Sequence, residues 1–116
     1  MEDGQIQDGQ ITASSYSSGE KYHGPTNARL NRPAYLDDTA TTGAWSAATS
    51  DANQWIQVDL GFFKRITGII LQGRADADKW VTEYKVETSK DALTWQYVKS
   101  GYQEYQQDDL VRTIVL

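Results

Sequence analysis

His23 is the single histidine of the chain and cysteine is absent. A lone imidazole has no second His and no thiolate to complete a common metal set, and no partner to make it a general base. Serines are plentiful, yet none lies in a G-x-S-x-G elbow between a strand and a helix, so a nucleophile lacks its usual frame. Catalysis is therefore not expected, and binding chemistry remains. The run from Gly73 to Lys79 sets the Arg74 guanidinium beside Asp76 and Asp78, with Lys79 and Trp80 directly after. A guanidinium fork can clamp sugar hydroxyls or a carboxylate, although a solvated turn explains the same charges. Arg74-Ala75-Asp76 is not Arg-Gly-Asp, because the extra methyl disfavours the positive φ that glycine permits. Residues 36–42 gather Asp37, Asp38 and Thr42, whose carboxylates and hydroxyl are hard oxygen ligands of the kind Ca²⁺ takes. Calcium is the one cofactor these residues suggest, and its need for six to eight oxygens weighs against a full site here.

Trp45, Trp55, Trp80 and Trp95 offer ring faces that could stack on a sugar or enter a membrane interface. A small β domain needs such bodies inside, each hiding about 150–250 Å², so Trp45, Trp55 and Trp95 are assigned to the core. Trp80, at the end of a polar loop, is placed equally well inside or out.

These residues must be positioned by strands. Turn-forming residues recur roughly every ten positions, and no long stretch has apolar residues at helical spacing. The pattern predicts an all-β domain. From Trp55 to Leu60, Ile56, Val58 and Leu60 share one face, and Gly61 is expected to end the strand. Further strands are predicted over 65–72, 83–89 and 94–98, with Ser89 to Ala92 as a tight turn and 73–79 as an exposed loop. A last strand is predicted from Val111, at an uncovered sheet edge through which copies of the chain could associate. Residues 14–24 and 36–43 read as loops.

The chain has 116 residues, 39% of them hydrophobic, which suits one folded domain spanning 1–116. Its formal charge of -5 gives no global attraction for a polyanion, so nucleic acid is not an expected partner. No run reaches the roughly 20 apolar residues of a bilayer span. The lack of cysteine leaves the redox compartment open.

Taken in order, QITASS from Gln10, ARLN from Ala28, GAWSA from Gly43, WIQVDLG from Trp55, ITGIILQGR from Ile66, WVTEYKV from Trp80 and TSKDALTW from Thr88 resemble the discoidin, or coagulation factor 5/8 type C, family. Within that family the acidic loop after LQGR is similar to that of the discoidin lectins of slime moulds. The resemblance implies a jelly-roll β-sandwich or barrel, extracellular, with ligand-binding loops at one end and no catalysis. It also implies a pair of cysteines at the domain ends, which this chain lacks, and closing strands beyond Leu116, so a C-terminally truncated domain is expected. By position before ARLN, residues 18–24 correspond to the family's first ligand-binding spike. There Lys21 and His23 can donate hydrogen bonds, Glu20 can accept them, and Tyr22 offers a ring face. Residues 73–79 correspond to another spike, and 36–42 resemble a calcium loop of carbohydrate-binding relatives.

The leading expectation is a cell-adhesion module whose loops at Glu20 to His23 and Arg74 to Trp80 bind a cell-surface carbohydrate or an extracellular-matrix protein. A peripheral module recognising phosphatidylserine on a phospholipid surface is the alternative, disfavoured by Glu20, Asp76 and Asp78 among the loop tips. A structural domain of a larger secreted enzyme or receptor is the third reading.

Overall fold

The computed structural model describes residues 5–34, 42–66, 68–98 and 111–115. Its strands are β1 (Ile11–Ala13), β2 (Ile56–Lys64), β3 (Val86–Ser89), β4 (Gln96–Val98) and β5 (Val111–Val115). They form a five-stranded sheet in the order β1-β2-β5-β3-β4, antiparallel at every pairing. The domain is all-β, as the spacing of turn residues predicts.

The core follows from the alternation in β2. Ile56 and Val58 point inward and join Ile11 of β1 and Ile6 in one buried cluster, against which Ala13, Ala28, Trp45 and Leu60 pack. Each such aliphatic side chain contributes about 1.5–3 kcal/mol on burial. Trp45 is held in place by its indole N–H, which donates to the Ser15 carbonyl at 2.9 Å.

Gly61 does not end β2. It takes φ +77° and sits where the register against β5 shifts, between Asp59 and Lys64. Its N–H donates to Asp59 Oδ1 at 2.9 Å, and Gln10 Nε2 donates to the Asp59 carbonyl at 2.8 Å. The glycine thus permits a bulge rather than a stop, and Phe62 and Phe63 beyond it are exposed.

Three further expectations are corrected. Residues 65–72 carry strand-forming side chains, but those described lie outside every strand, and Ile70 is 78% exposed. β-branched residues form a strand only when another strand satisfies their backbone. The final strand is no sheet edge: β5 lies between β2 and β3, pairing Ile114 with both Val58 and Thr88. Association through an uncovered final strand therefore loses its basis, and the outer strands of the described sheet are β1 and β4. Trp55, directly before β2, is exposed, as side-chain alternation with the buried Ile56 implies.

The turn after β3 is built as expected. Ser89 Oγ accepts the N–H groups of Asp91 and Ala92 at 3.2 and 2.8 Å, and Asp91 Oδ1 accepts those of Leu93 and Thr94 at 2.9 and 2.8 Å. The Thr94 and Leu93 amides, and then the Ser89 hydroxyl, hold the Asp91 carboxyl below its ordinary range.

Candidate functional site

Residues 18–24, expected as a loop, contain one helical turn, α1 (Glu20–His23). Ser18 and Gly19 precede it at φ 53° and 94°, turning the chain so that the Gly19 carbonyl accepts the N–H groups of Tyr22 and His23 at 3.3 and 3.1 Å. The turn is tied down from outside: Thr42 donates both its N–H (3.1 Å) and its hydroxyl (2.8 Å) to the Tyr22 carbonyl, and the Ser46 N–H donates to the His23 carbonyl at 3.2 Å. Tyr22 is left exposed and His23 half-buried, with a buried Nδ1 that has no hydrogen-bond partner. Glu20 and Lys21 lie within α1.

The 73–79 loop closes through the Arg74 N–H donating to the Lys79 carbonyl at 2.9 Å and the Lys79 N–H donating to the Ala77 carbonyl at 2.8 Å. Arg74 Nε donates to Asp76 Oδ1 and Nη2 donates to Oδ2 at 3.1 Å. This fork-to-fork pair raises the Arg74 pKa and lowers that of Asp76. The hydrogen bonds from Arg74 act first on Asp76. Asp78, Lys79 and Trp80 are exposed, Trp80 at 68%.

A third segment completes the site. Asn31, at φ 58°, donates its N–H to Gln72 Oε1 at 2.7 Å, and Gln72 Nε2 donates back to Asn31 Oδ1 at 3.3 Å. Gly43, at φ +67°, lies so close that an added Cβ would stand 2.5 Å from the Arg32 carbonyl oxygen and 3.0 Å from that of Pro33. Residues 31–33, Gly43 and the 72–75 segment line a cleft of about 220 Å³. Trp80 stands beside it, its Cβ 3.4 Å from where a Gly73 side chain would begin.

The arginines differ in how they are used. Arg29 Nη2 donates to Asp8 Oδ1 at 2.7 Å, and Arg74 is committed to Asp76. Arg32, which lines the cleft, has a buried Nε with no acceptor. Leaving such a donor unmet costs roughly 1–3 kcal/mol. The sequence singles out Arg74 as the clamp, whereas the structure neutralises it and leaves Arg32 unanswered. Arg32, Asn31, Gln72 and Gly43 escape a reading by charge and loop position. The available signal is that Asn31 ends ARLN and Gln72 opens QGR, two of the strings that carry the resemblance.

Of the calcium residues, Asp37 and Asp38 lie outside the described residues, and Thr42 donates its hydroxyl to the Tyr22 carbonyl. Among the described residues no group of three His, Cys, Asp or Glu could hold a metal ion, and no helix is long and apolar enough to cross a membrane.

An all-β scaffold with a polar cleft and an exposed aromatic gathered by its loops is the build of a recognition domain. The F5/8 type C domain family matches residues 10–115, and the chain belongs to it. It is 38% identical over 100 residues to mouse (Mus musculus) retinoschisin, covering 85% of this chain and 43% of that protein. Bovine (Bos taurus) lactadherin is 40% identical over 109 residues, covering 90% and 25%, and mouse coagulation factor V 36% identical over 99 residues, covering 82% and 4%. The chain thus spans less than half of each of these relatives. In keeping with the family, it is an extracellular binding module.

Proposed function

We propose that the chain is a non-catalytic adhesion module whose loop end binds a glycan of the cell surface or extracellular matrix. The observation that carries this reading is the joining of residues 31–33, Gly43 and the 72–75 segment around a small polar cleft, with the exposed Trp80 beside Gly73. The aromatic face of Trp80 stacks on the apolar side of a pyranose ring, while amides and guanidinium groups meet its hydroxyls. Tyr22 of α1 is a second exposed ring.

A phosphatidylserine-binding reading has one observation in its favour: Trp80 and Val81, directly after Lys79 in the chain, are exposed, as are Ile70 and Leu71, apolar side chains with a cation of the sort that enters a headgroup region. Against it stand Asp76 and Asp78 in the same loop, repelled by an anionic leaflet. An immobilised glycan panel and phosphatidylserine vesicles, each with and without Ca²⁺, separate the readings. Glycan binding lost in Trp80→Ala and weakened in Tyr22→Ala supports the module proposed. Vesicle binding without glycan binding replaces it with the membrane reading, and calcium dependence of either signal would implicate Asp37, Asp38 and Thr42.

A further inference from the structure

We infer that the cleft between residues 31–33 and 72–75 is a carboxylate subsite anchored by Arg32, and that the preferred ligand is a sugar residue bearing a carboxylate, such as a uronic or sialic acid. The inference rests on the glycan reading above and names the class of sugar. Its first support is the unmet donor. Arg29 and Arg74 each hold an aspartate of this chain, whereas Arg32 has a buried Nε without an acceptor at the wall of a cleft. Arg32 is half-buried and lines the cleft, so the part of its fork that faces the cleft, rather than the buried Nε, meets a ligand carboxylate, whose planar oxygens match parallel N–H donors.

The second support is the lining. Gly43 and Gly73 keep side chains out of the cleft, and Gln72 is fixed by its reciprocal bonds to Asn31. A sugar ring can therefore approach backbone and amide groups that are already in place. At about 220 Å³ the cleft falls below the roughly 300–1,000 Å³ of drug-sized sites, which suits one ring rather than an extended chain. The third support is Trp80, exposed and beside Gly73 of the cleft wall, an aromatic side chain available for stacking. The net charge of -5 weakens any attraction at a distance, so selectivity comes from contact with one carboxylate and not from a basic surface.

The test compares neutral, carboxylated and sulfated glycans of otherwise equal structure, with free glucuronate, N-acetylneuraminate and glucose as competitors. Wild-type protein is expected to bind carboxylated glycans about tenfold more tightly than neutral ones, the size of one charge-assisted contact. Arg32→Gln should erase that preference, and Arg32→Lys should retain only part of it. Arg65→Gln, which removes the same charge at an exposed position outside the cleft, should leave it intact. Glucuronate or N-acetylneuraminate displacing wild-type binding where glucose does not would support the inference even if Arg32→Gln failed to fold. Equal binding of neutral and carboxylated glycans, a preference surviving in Arg32→Gln, or a preference for sulfate over carboxylate would overturn it while leaving the glycan reading in place. Binding to no glycan would overturn both.

Discussion

The two segments that line the cleft each carry an arginine, and they hold it in opposite ways. In the 72–75 segment Arg74 is closed onto Asp76, two positions away, in a fork-to-fork pair. In the 31–33 segment Arg32 has no such neighbour, and its Nε is buried without an acceptor. The difference teaches that a charged loop and a binding site are not the same thing. The residues richest in charge satisfy one another, while the group left wanting a partner sits among glycines and amides. The 89–94 turn makes the same point from the structural side: the Asp91 carboxylate is satisfied by three local donors and builds a turn, not a site.

The largest perturbation of this contrast should come from Gly43→Ala. A methyl group there would stand 2.5 Å from the Arg32 carbonyl oxygen at a φ of +67°, so backbone strain and overpacking combine to about 2–4 kcal/mol. Guanidinium unfolding should show that loss, and a variant as stable as wild type would mean that residues 31–33 are not pressed against Gly43. Next is Gln72→Ala, which removes both bonds to Asn31. It should cost about 1 kcal/mol at this exposed position and loosen the 31–33 segment, seen as faster amide exchange at Asn31.

Ala92 provides the mirror image of Gly43, an alanine at φ 60°. Replacement by glycine relieves the left-handed strain and should raise stability by about 0.5–1 kcal/mol; a fall would show that the turn tolerates the methyl without cost. Arg32→Met should raise stability, by up to about 1 kcal/mol, since it removes a buried unmet donor and keeps the stem. A large loss would show that Arg32 has a structural partner.

The smallest effect is acid-dependent. Because the folded Asp76 carboxyl is depressed, chiefly by the Arg74 hydrogen bonds, the pair's stabilisation is fully present above the ordinary carboxyl pKa of about 3.9. It is lost as pH falls through the lower folded value. In Asp76→Asn that component of the acid-side decline should vanish. Protonation also frees Arg74, so below that range the two arginines become alike. An unchanged decline would place the pair's contribution at zero, which is common for exposed ion pairs.

Much of the scaffold was legible because it is encoded locally. The alternation from Trp55 to Leu60 gave β2 and its buried face, and Ser89 with Asp91 gave a turn whose donors lie within three residues. Residues 65–72 were misread for a related reason: strand propensity is local, but strand formation requires a partner that propensity does not supply. Gly61 was misread as a stop because glycine serves both ends and bulges, and only the Gln10 and Asp59 contacts distinguish them.

By itself, the sequence determined an all-β extracellular domain of the F5/8 type C family, with aliphatic residues alternating into one core and polar loops between strands. Its pattern is written in neighbours two to four residues apart, where side-chain alternation and turn chemistry operate. The tertiary structure alone decided that β5 enters the middle of the sheet, that Trp55 faces outward, and that Asn31 meets Gln72 across 41 positions. It also decided which arginine is spent on an aspartate and which has a buried Nε without an acceptor. That choice depends on which groups long-range folding brings within hydrogen-bond reach, and no local pattern records it.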